Sequence, residues 1–349
     1  MKALIWQGKE DVRCESVPDP RLEADNDVIV AVEQAAICGS DLHVYHDREK
    51  GLDPGTILGH EFVGLVAEQG SRVRQFRKGD RVCAPFTTSC GSCFYCAKGL
   101  TSRCRRGALF GWVENGRGLN GGQAEAVRVP LADSTLVRIP EGVETEEALL
   151  LGDVLSTGFY CADRGEVRGG DLVVVLGCGP VGLMSILGAR ERQAAAVYAV
   201  DWVPERLALA RRFGSHTLPL DEGDPVEAIR ERSDGRGADV VLEAVGSPAA
   251  GRLAVDLVRP GGVISTAGVH TEERMAFSPV EAYDKNLTYR SGRCPARRYM
   301  ERLLPLVQER AYPLSDLFSH RMTLADGPKG YRLFAAREDG CTKVLLTPG

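Results

Sequence analysis

The sequence predicts an α/β protein of two domains, a mainly β half followed by a half built on a parallel sheet. Three observations carry this expectation. From Lys2 to about Leu151 the chain is made of short valine-rich segments punctuated by glycine and proline, with no long helical pattern between them. Beyond Ala162 the runs DLVVVLG, AAVYAVD, ADVVLEAVG and GGVISTAG are apolar throughout and separated by helical stretches, as strands covered on both faces by crossover helices require. The first of these runs leads straight into a glycine-rich turn and then a helical stretch.

Taken in order, Val28 to Val32, Gly64 to Glu68, Arg81 to Ala84 and Ala126 to Val129 read as strands of a first domain over residues 1–152. A second domain is assigned to 153–292. Within it Pro204 to Phe213 reads as a helix, since Leu207, Ala210 and Arg211 follow helical spacing and Pro204 sits where a helix can begin. Over 293–349, ARRYMERLLPLVQER reads as an amphipathic helix broken at Pro305, and TKVLLTP as a final strand. That tail is assigned to completing the second domain, with a return to the first left open.

The 349 residues carry a formal net charge of -5 and no strongly basic stretch, which excludes a nucleic-acid partner on electrostatic grounds. No apolar run is long enough to span a bilayer and the first residues lack the pattern of a signal peptide, so no membrane association and a cytoplasmic location are expected. Four of the eleven cysteines crowd into Cys90, Cys93, Cys96 and Cys104, which favours a metal site in a reducing compartment over a disulfide framework.

The turn Gly177-Cys178-Gly179-Pro180-Val181-Gly182 has the form of a dinucleotide fingerprint, and its strand–turn–helix context marks the second domain as Rossmann-type. Gly177 supplies the tight turn, Gly179 the room for close approach of a pyrophosphate and Gly182 the packing of helix on strand, with the phosphates against the helix start. Asp201 ends the next strand about 20 residues on, where a carboxylate accepts from an adenosine ribose and repels a 2′-phosphate, so NAD is expected over NADP. Arg206, on the following helix, is a candidate for the adenosine edge and equally an ordinary solvated arginine. Glu243, Val245 and Gly246 follow a third strand and Gly268 and Val269 a fourth, where turns supply backbone contacts to the nicotinamide half.

Four thiolates at Cys90, Cys93, Cys96 and Cys104 suit a closed tetrahedral zinc with no position left for substrate, so this site is structural; an iron–sulfur cluster is the alternative for the same donors. A second set is dispersed: Cys38-Gly39-Ser40-Asp41-Leu42-His43, then Gly59-His60-Glu61, then Asp153 in LLGDVL. Composition alone does not bring these together.

These motifs, with G-H-E-x-x-G-x-x-x-x-x-G-x-x-V ending at Val73, G-D-R-V at Gly79 to Val82 and the four-cysteine lobe, resemble in order and over nearly the whole chain the zinc-containing medium-chain alcohol dehydrogenase family. The resemblance implies a GroES-like mainly β catalytic domain and a catalytic zinc held by Cys38, His60 and Asp153, so that each subunit carries one catalytic and one structural zinc. Many relatives have cysteine where this chain has Asp153, and an aspartate there is similar to the branch containing glutathione-independent formaldehyde dehydrogenase. Glu61 is then a carboxylate beside the zinc, outside the permanent ligand set.

The resemblance also implies that Ser40 is the hydroxyl that hydrogen-bonds the alcohol and begins a proton relay ending at His43, whose ordinary pKa suits exchange with solvent. Asp41 would orient His60. Phe86, Phe110 and Trp112 are candidates for the substrate wall and equally for core packing, while His216, His270 and His320 lack a catalytic constellation and read as surface or packing residues. The expected reaction is reversible hydride transfer from a primary or secondary alcohol to NAD. Formaldehyde or aldehyde dehydrogenation or dismutation, or polyol oxidation, are the narrower alternatives. A homo-oligomer is implied, with a homotetramer favoured.

Overall fold

A computed structural model describes residues 1–349, which divide into two compact units, one of Met1–Ser156 with Pro295–Gly349 and one of Thr157–Cys294. The first is mainly β. Its largest sheet runs Val137–Arg138, Arg81–Cys83, Phe62–Gln69, Val28–Ile37, Val344–Thr347 and His320–Thr323 in hydrogen-bonded order, with Ala126–Val129 also pairing Val28–Ile37. Beside it lie a three-stranded sheet of Asp11–Ser16, Lys2–Gly8 and Thr56–Ile57, and the hairpin of Trp112–Glu114 with Arg117–Leu119.

Val28–Ile37 is longer than the alternation of its first five residues predicts. The polar pair Glu33-Gln34 interrupts the pattern, the register against Phe62–Gln69 shifts between Val32 and Gln34 and resumes at Gln34 and Ala35, and Ala35 to Ile37 pair with Val344–Thr347 on the other side. The bulge carries the strand on to Cys38. The core behind it is built from Val28, Val30, Ile37, Phe62, Phe110, Leu136, Tyr331 and Val344, all nearly inaccessible to solvent.

The second unit holds a six-stranded parallel sheet in the order His216–Pro219, Ala196–Asp201, Leu172–Leu176, Ala238–Glu243, Val258–Thr266, Thr288–Ser291. Chain order therefore reverses beside Leu172–Leu176, which creates the switch point at whose carboxyl ends ligands bind in such sheets. The buried runs Val173–Leu176 and Val240–Glu243 show why these strands are apolar throughout.

Two expectations for the tail differ from the structure. Helix Ala296–Gln308 passes through Pro305 without a break, and the ladder resumes at once with Glu309 N–H donating to the Pro305 carbonyl at 2.9 Å. Its buried face of Ala296, Tyr299, Met300, Leu303 and Val307 outweighs the one backbone bond that the proline removes. The tail also does not complete the parallel sheet: Val344–Thr347 pairs antiparallel with Val28–Ile37, so residues from Pro295 onward belong to the first unit. Apolar period-2 strands suit either sheet, and only the pairing decides between them.

Candidate functional site

The end of strand Val28–Ile37, the entry to strand Phe62–Gln69 and the turn before helix Val154–Arg164 bring Cys38, His60, Glu61 and Asp153 together, with one donor atom of each within 4.8 Å of the others. Cys38 Sγ lies 3.2 Å from Asp153 Oδ2, and His60 Nε2 lies 3.3 Å from the same oxygen. Ser40 Oγ sits 3.3 Å from both Cys38 Sγ and His60 Nε2. On the far side of the imidazole, Nδ1 is 3.2 Å from Asp41 Oδ1.

All four donors are buried. Burial pushes the Cys38 thiol up to about 11, with Asp153 and Glu61 adding to the effect. Burial also opposes charge on His60, but Asp41, Cys38 and Asp153 outweigh it and hold the imidazole well above its ordinary range. Asp153 is held well below the usual carboxylate range: burial raises it, and contact with His60 more than reverses this. Lys343, itself fully buried, places Nζ 2.6 Å from Glu61 Oε2, while Glu61 Oε1 is buried with no hydrogen-bond partner.

This donor set fits a divalent cation. Thiolate, imidazole and carboxylate are borderline ligands suited to zinc, and a metal would hold together the buried thiol and carboxyl groups that crowd His60. The orphaned Glu61 oxygen points to the same need.

Cys90, Cys93, Cys96 and Cys104 form a second cluster around the short helix Phe94–Ala97, and none is in a disulfide. The Cys93–Cys96 and Cys93–Cys104 sulfur separations of 3.6 and 3.9 Å match the edge of a tetrahedron with metal–sulfur bonds of about 2.3 Å. Backbone amides of Cys90, Cys93 and Arg106 donate to sulfurs at 3.2, 3.4 and 3.4 Å. Burial works against ionisation of Cys90, yet the Ser92 amide and the Arg106 guanidinium bring it down to about 5.

In the second unit, Gly177 takes φ +85° directly after strand Leu172–Leu176, and Gly179 precedes Pro180, the first residue of helix Pro180–Glu191. A Cβ on Gly182 would fall 1.7 Å from the Gly177 carbonyl oxygen, whereas one on Gly179 would meet only Arg206 Nη1 at 3.9 Å. The first contact is packing and the second is open space. No side chain caps this helix start, beside Val181.

Asp201 is buried at the end of strand Ala196–Asp201, where Oδ2 accepts from Cys178 N–H at 2.6 Å and Oδ1 from the amides of Trp202 and Val203 at 2.7 and 2.9 Å. Val245 and Gly246 do not offer free amides, because both donate to Glu243 Oε1 at 2.7 Å. Val245 and Val269 instead expose their side chains, with Gly268 packed tightly against Gly246.

His270, which the sequence places among packing or surface residues, has a partner in the structure: Nε2 lies 3.0 Å from the fully buried Glu243 Oε2. No local spacing links the two. Gln123 and Tyr331, which join Asp41 in the interior, carried no sequence signal either. Of the aromatic candidates, Phe110 packs on Phe62 in the core, Phe86 places its ring centroid 6.4 Å from that of His60, and Trp112 packs against the core from its hairpin. His216 stacks on Tyr198, and His320 lies between Ser319 and Asp339.

The fold and these clusters define a zinc-type dehydrogenase. Residues 24–141 match the alcohol dehydrogenase GroES-like domain and residues 180–309 the zinc-binding dehydrogenase domain, so the chain belongs to the zinc-type, medium-chain alcohol dehydrogenase family. It is 39% identical to zinc-type alcohol dehydrogenase B of Aspergillus flavus, over 100% of this chain and 82% of that one. The solved alcohol dehydrogenase of Thermus sp. ATN1 superposes with a TM-score of 0.94 at 38% identity over 100% of both chains. Formaldehyde dismutase of Pseudomonas putida is 31% identical over 95% of this chain and 94% of its own. No helix is long and apolar enough to cross a membrane.

Proposed function

We propose that the protein reversibly transfers a hydride from a primary or secondary alcohol to NAD, with one zinc at Cys38, His60 and Asp153 and another at Cys90, Cys93, Cys96 and Cys104. The observation that carries the reading is the convergence of Cys38, His60 and Asp153 with the Ser40 hydroxyl 3.3 Å from two of them. When bound, zinc supplies a Lewis acid for the alcohol oxygen and NAD the hydride acceptor.

The chain's own residues account for the proton and the orientation. Ser40 both donates and accepts, so a hydroxyl in its position takes the proton leaving an alcohol and hands on its own. His43 lies on the short helix Asp41–Tyr45, and burial lowers its pKa, so the imidazole is neutral near pH 7 and ready to receive that proton. Its buried Nδ1 has no hydrogen-bond partner. Asp41 holds the His60 ring from behind.

The open space at Gly179 suits a pyrophosphate at the start of helix Pro180–Glu191, and the Asp201 carboxylate suits the adenosine ribose of NAD while opposing a 2′-phosphate. Asp153 supports a second reading, aldehyde oxidation or dismutation, because it stands where many relatives have cysteine. Metal analysis followed by NADH formation across a panel of alcohols and aldehydes tests both. Zinc-dependent NADH formation from an alcohol class supports the dehydrogenase, tightly retained cofactor with aldehyde turnover supports the second reading, and absence of both with two zinc equivalents bound overturns them.

A further inference from the structure

We propose that Tyr331 and Gln123 are positioning residues for the metal centre, the outer links of a buried chain of hydrogen bonds that fixes the tautomer of His60. The inference rests on the reading that Cys38, His60 and Asp153 hold zinc.

The direction of each bond follows from the chemistry of the groups. A carboxylate only accepts, so Asp41 takes the proton of His60 Nδ1 at 3.2 Å, the Cys38 amide at 2.9 Å and Gln123 Nε2 at 3.1 Å. Gln123 Nε2 also donates to the Ala36 carbonyl at 3.0 Å, which uses both of its protons. The amide oxygen must then face the other way, and there Tyr331 donates its phenolic proton at 2.8 Å. With the Nδ1 proton held by Asp41, Nε2, turned toward Cys38 and Asp153, is the nitrogen that would give up its proton to bind a metal.

Every member is buried, and Gln123 and Tyr331 have no exposed surface. Water therefore does not substitute for a lost partner. Were the Gln123 amide reversed, its oxygen would oppose both Asp41 and the Ala36 carbonyl, two contacts between acceptors. Asp41 and the Ala36 carbonyl thus set the amide's direction, and the Tyr331 hydroxyl satisfies the oxygen that faces away from them. Tyr331 comes from helix Gly327–Ala336, and the bond spans 208 positions of sequence, so the tail of the chain sets the ring that faces the metal. Partners of this kind alter metal affinity by roughly 10–100-fold.

The test uses the zinc-loaded full chain and Tyr331→Phe, Gln123→Met and the double variant. Zinc release to a chelator is followed alongside the visible spectrum of the cobalt-substituted protein. In Tyr331→Phe, one of two release phases accelerates by roughly tenfold and the cobalt spectrum shifts, while the phase from the four-cysteine cluster keeps its rate. Gln123→Met does the same, and Tyr331→Phe adds nothing to it. Unchanged release and spectrum in Tyr331→Phe, or additive effects in the double variant, overturn the proposal. A wild-type protein holding one zinc, released only when the four-cysteine cluster is altered, overturns the metal reading and this inference with it.

Discussion

The two units assemble their chemistry from different parts of the chain. In the unit of Met1–Ser156 and Pro295–Gly349 the reactive atoms belong to side chains: sulfurs, imidazole nitrogens and carboxylate oxygens gathered from strand ends far apart in sequence. In the unit of Thr157–Cys294 the open positions are main chain, and the acidic side chains serve mainly to hold it. Asp201 clasps the amides of Cys178, Trp202 and Val203, and Glu243 clasps those of Val245 and Gly246. A side-chain site fails when one atom is removed, whereas a main-chain site fails when space or turn geometry is altered.

The largest effect expected is that of His60→Ala, which removes one of the three proposed ligands. It should lose one zinc equivalent and lower kcat by roughly 10³-fold, with NAD affinity retained. Zinc content and steady-state kinetics check this, and retained metal with full turnover would break the comparison.

Two glycine substitutions sharpen the other side of it. Gly182→Ala places a methyl 1.7 Å from a carbonyl oxygen and should cost about 2 kcal/mol, seen as a lower Tm. Gly179→Ala meets no such obstacle, so its Tm should stay near wild type while NAD Kd rises roughly tenfold. A Gly179→Ala protein that melts early but binds NAD normally would reverse the roles assigned to the two glycines. Asp201→Asn removes the charge and sets an amide NH2 against a backbone N–H that the carboxylate now accepts, so Tm should fall while direct titration shows NAD preference over NADP falling by a similar factor.

The smallest effect concerns His270. Hydrogen bonding to Glu243 raises its pKa above 6.5 against the opposing effect of burial, with Glu272 adding to the rise. The folded state therefore favours the charged ring. Its contribution is fully present below pH 6.5 and fades as pH rises through the higher folded value. Partial exposure limits it to less than about 1 kcal/mol. His270→Gln should accordingly lower Tm more at about pH 5.5 than at about pH 9, and an equal loss at both would remove the ion pair from the account.

The same contrast explains what the sequence disclosed. The glycine turn and the four cysteines are local, so their spacing alone suggests a phosphate-binding turn and a metal-binding lobe. Cys38 and Asp153 lie 115 positions apart, and only the family resemblance joins them before the fold does. Glu243 with His270, and Gln123 with Tyr331, escape both routes because no short motif links them. Pro305 differs between sequence and structure for a related reason: its local cost is real, but burial of Tyr299, Met300 and Leu303 overrides it.

The strand Val344–Thr347 has a consequence for how the chain is made. Synthesis runs from the amino end, so the continuous stretch Thr157–Cys294 emerges whole before that strand exists. The first unit, although begun earlier, waits. Its sheet lacks a neighbour for Val28–Ile37, and Glu61 lacks Lys343, which bonds the Ile37 carbonyl across 306 positions. The unit begun earlier in synthesis is therefore the later of the two to close on its native pairing.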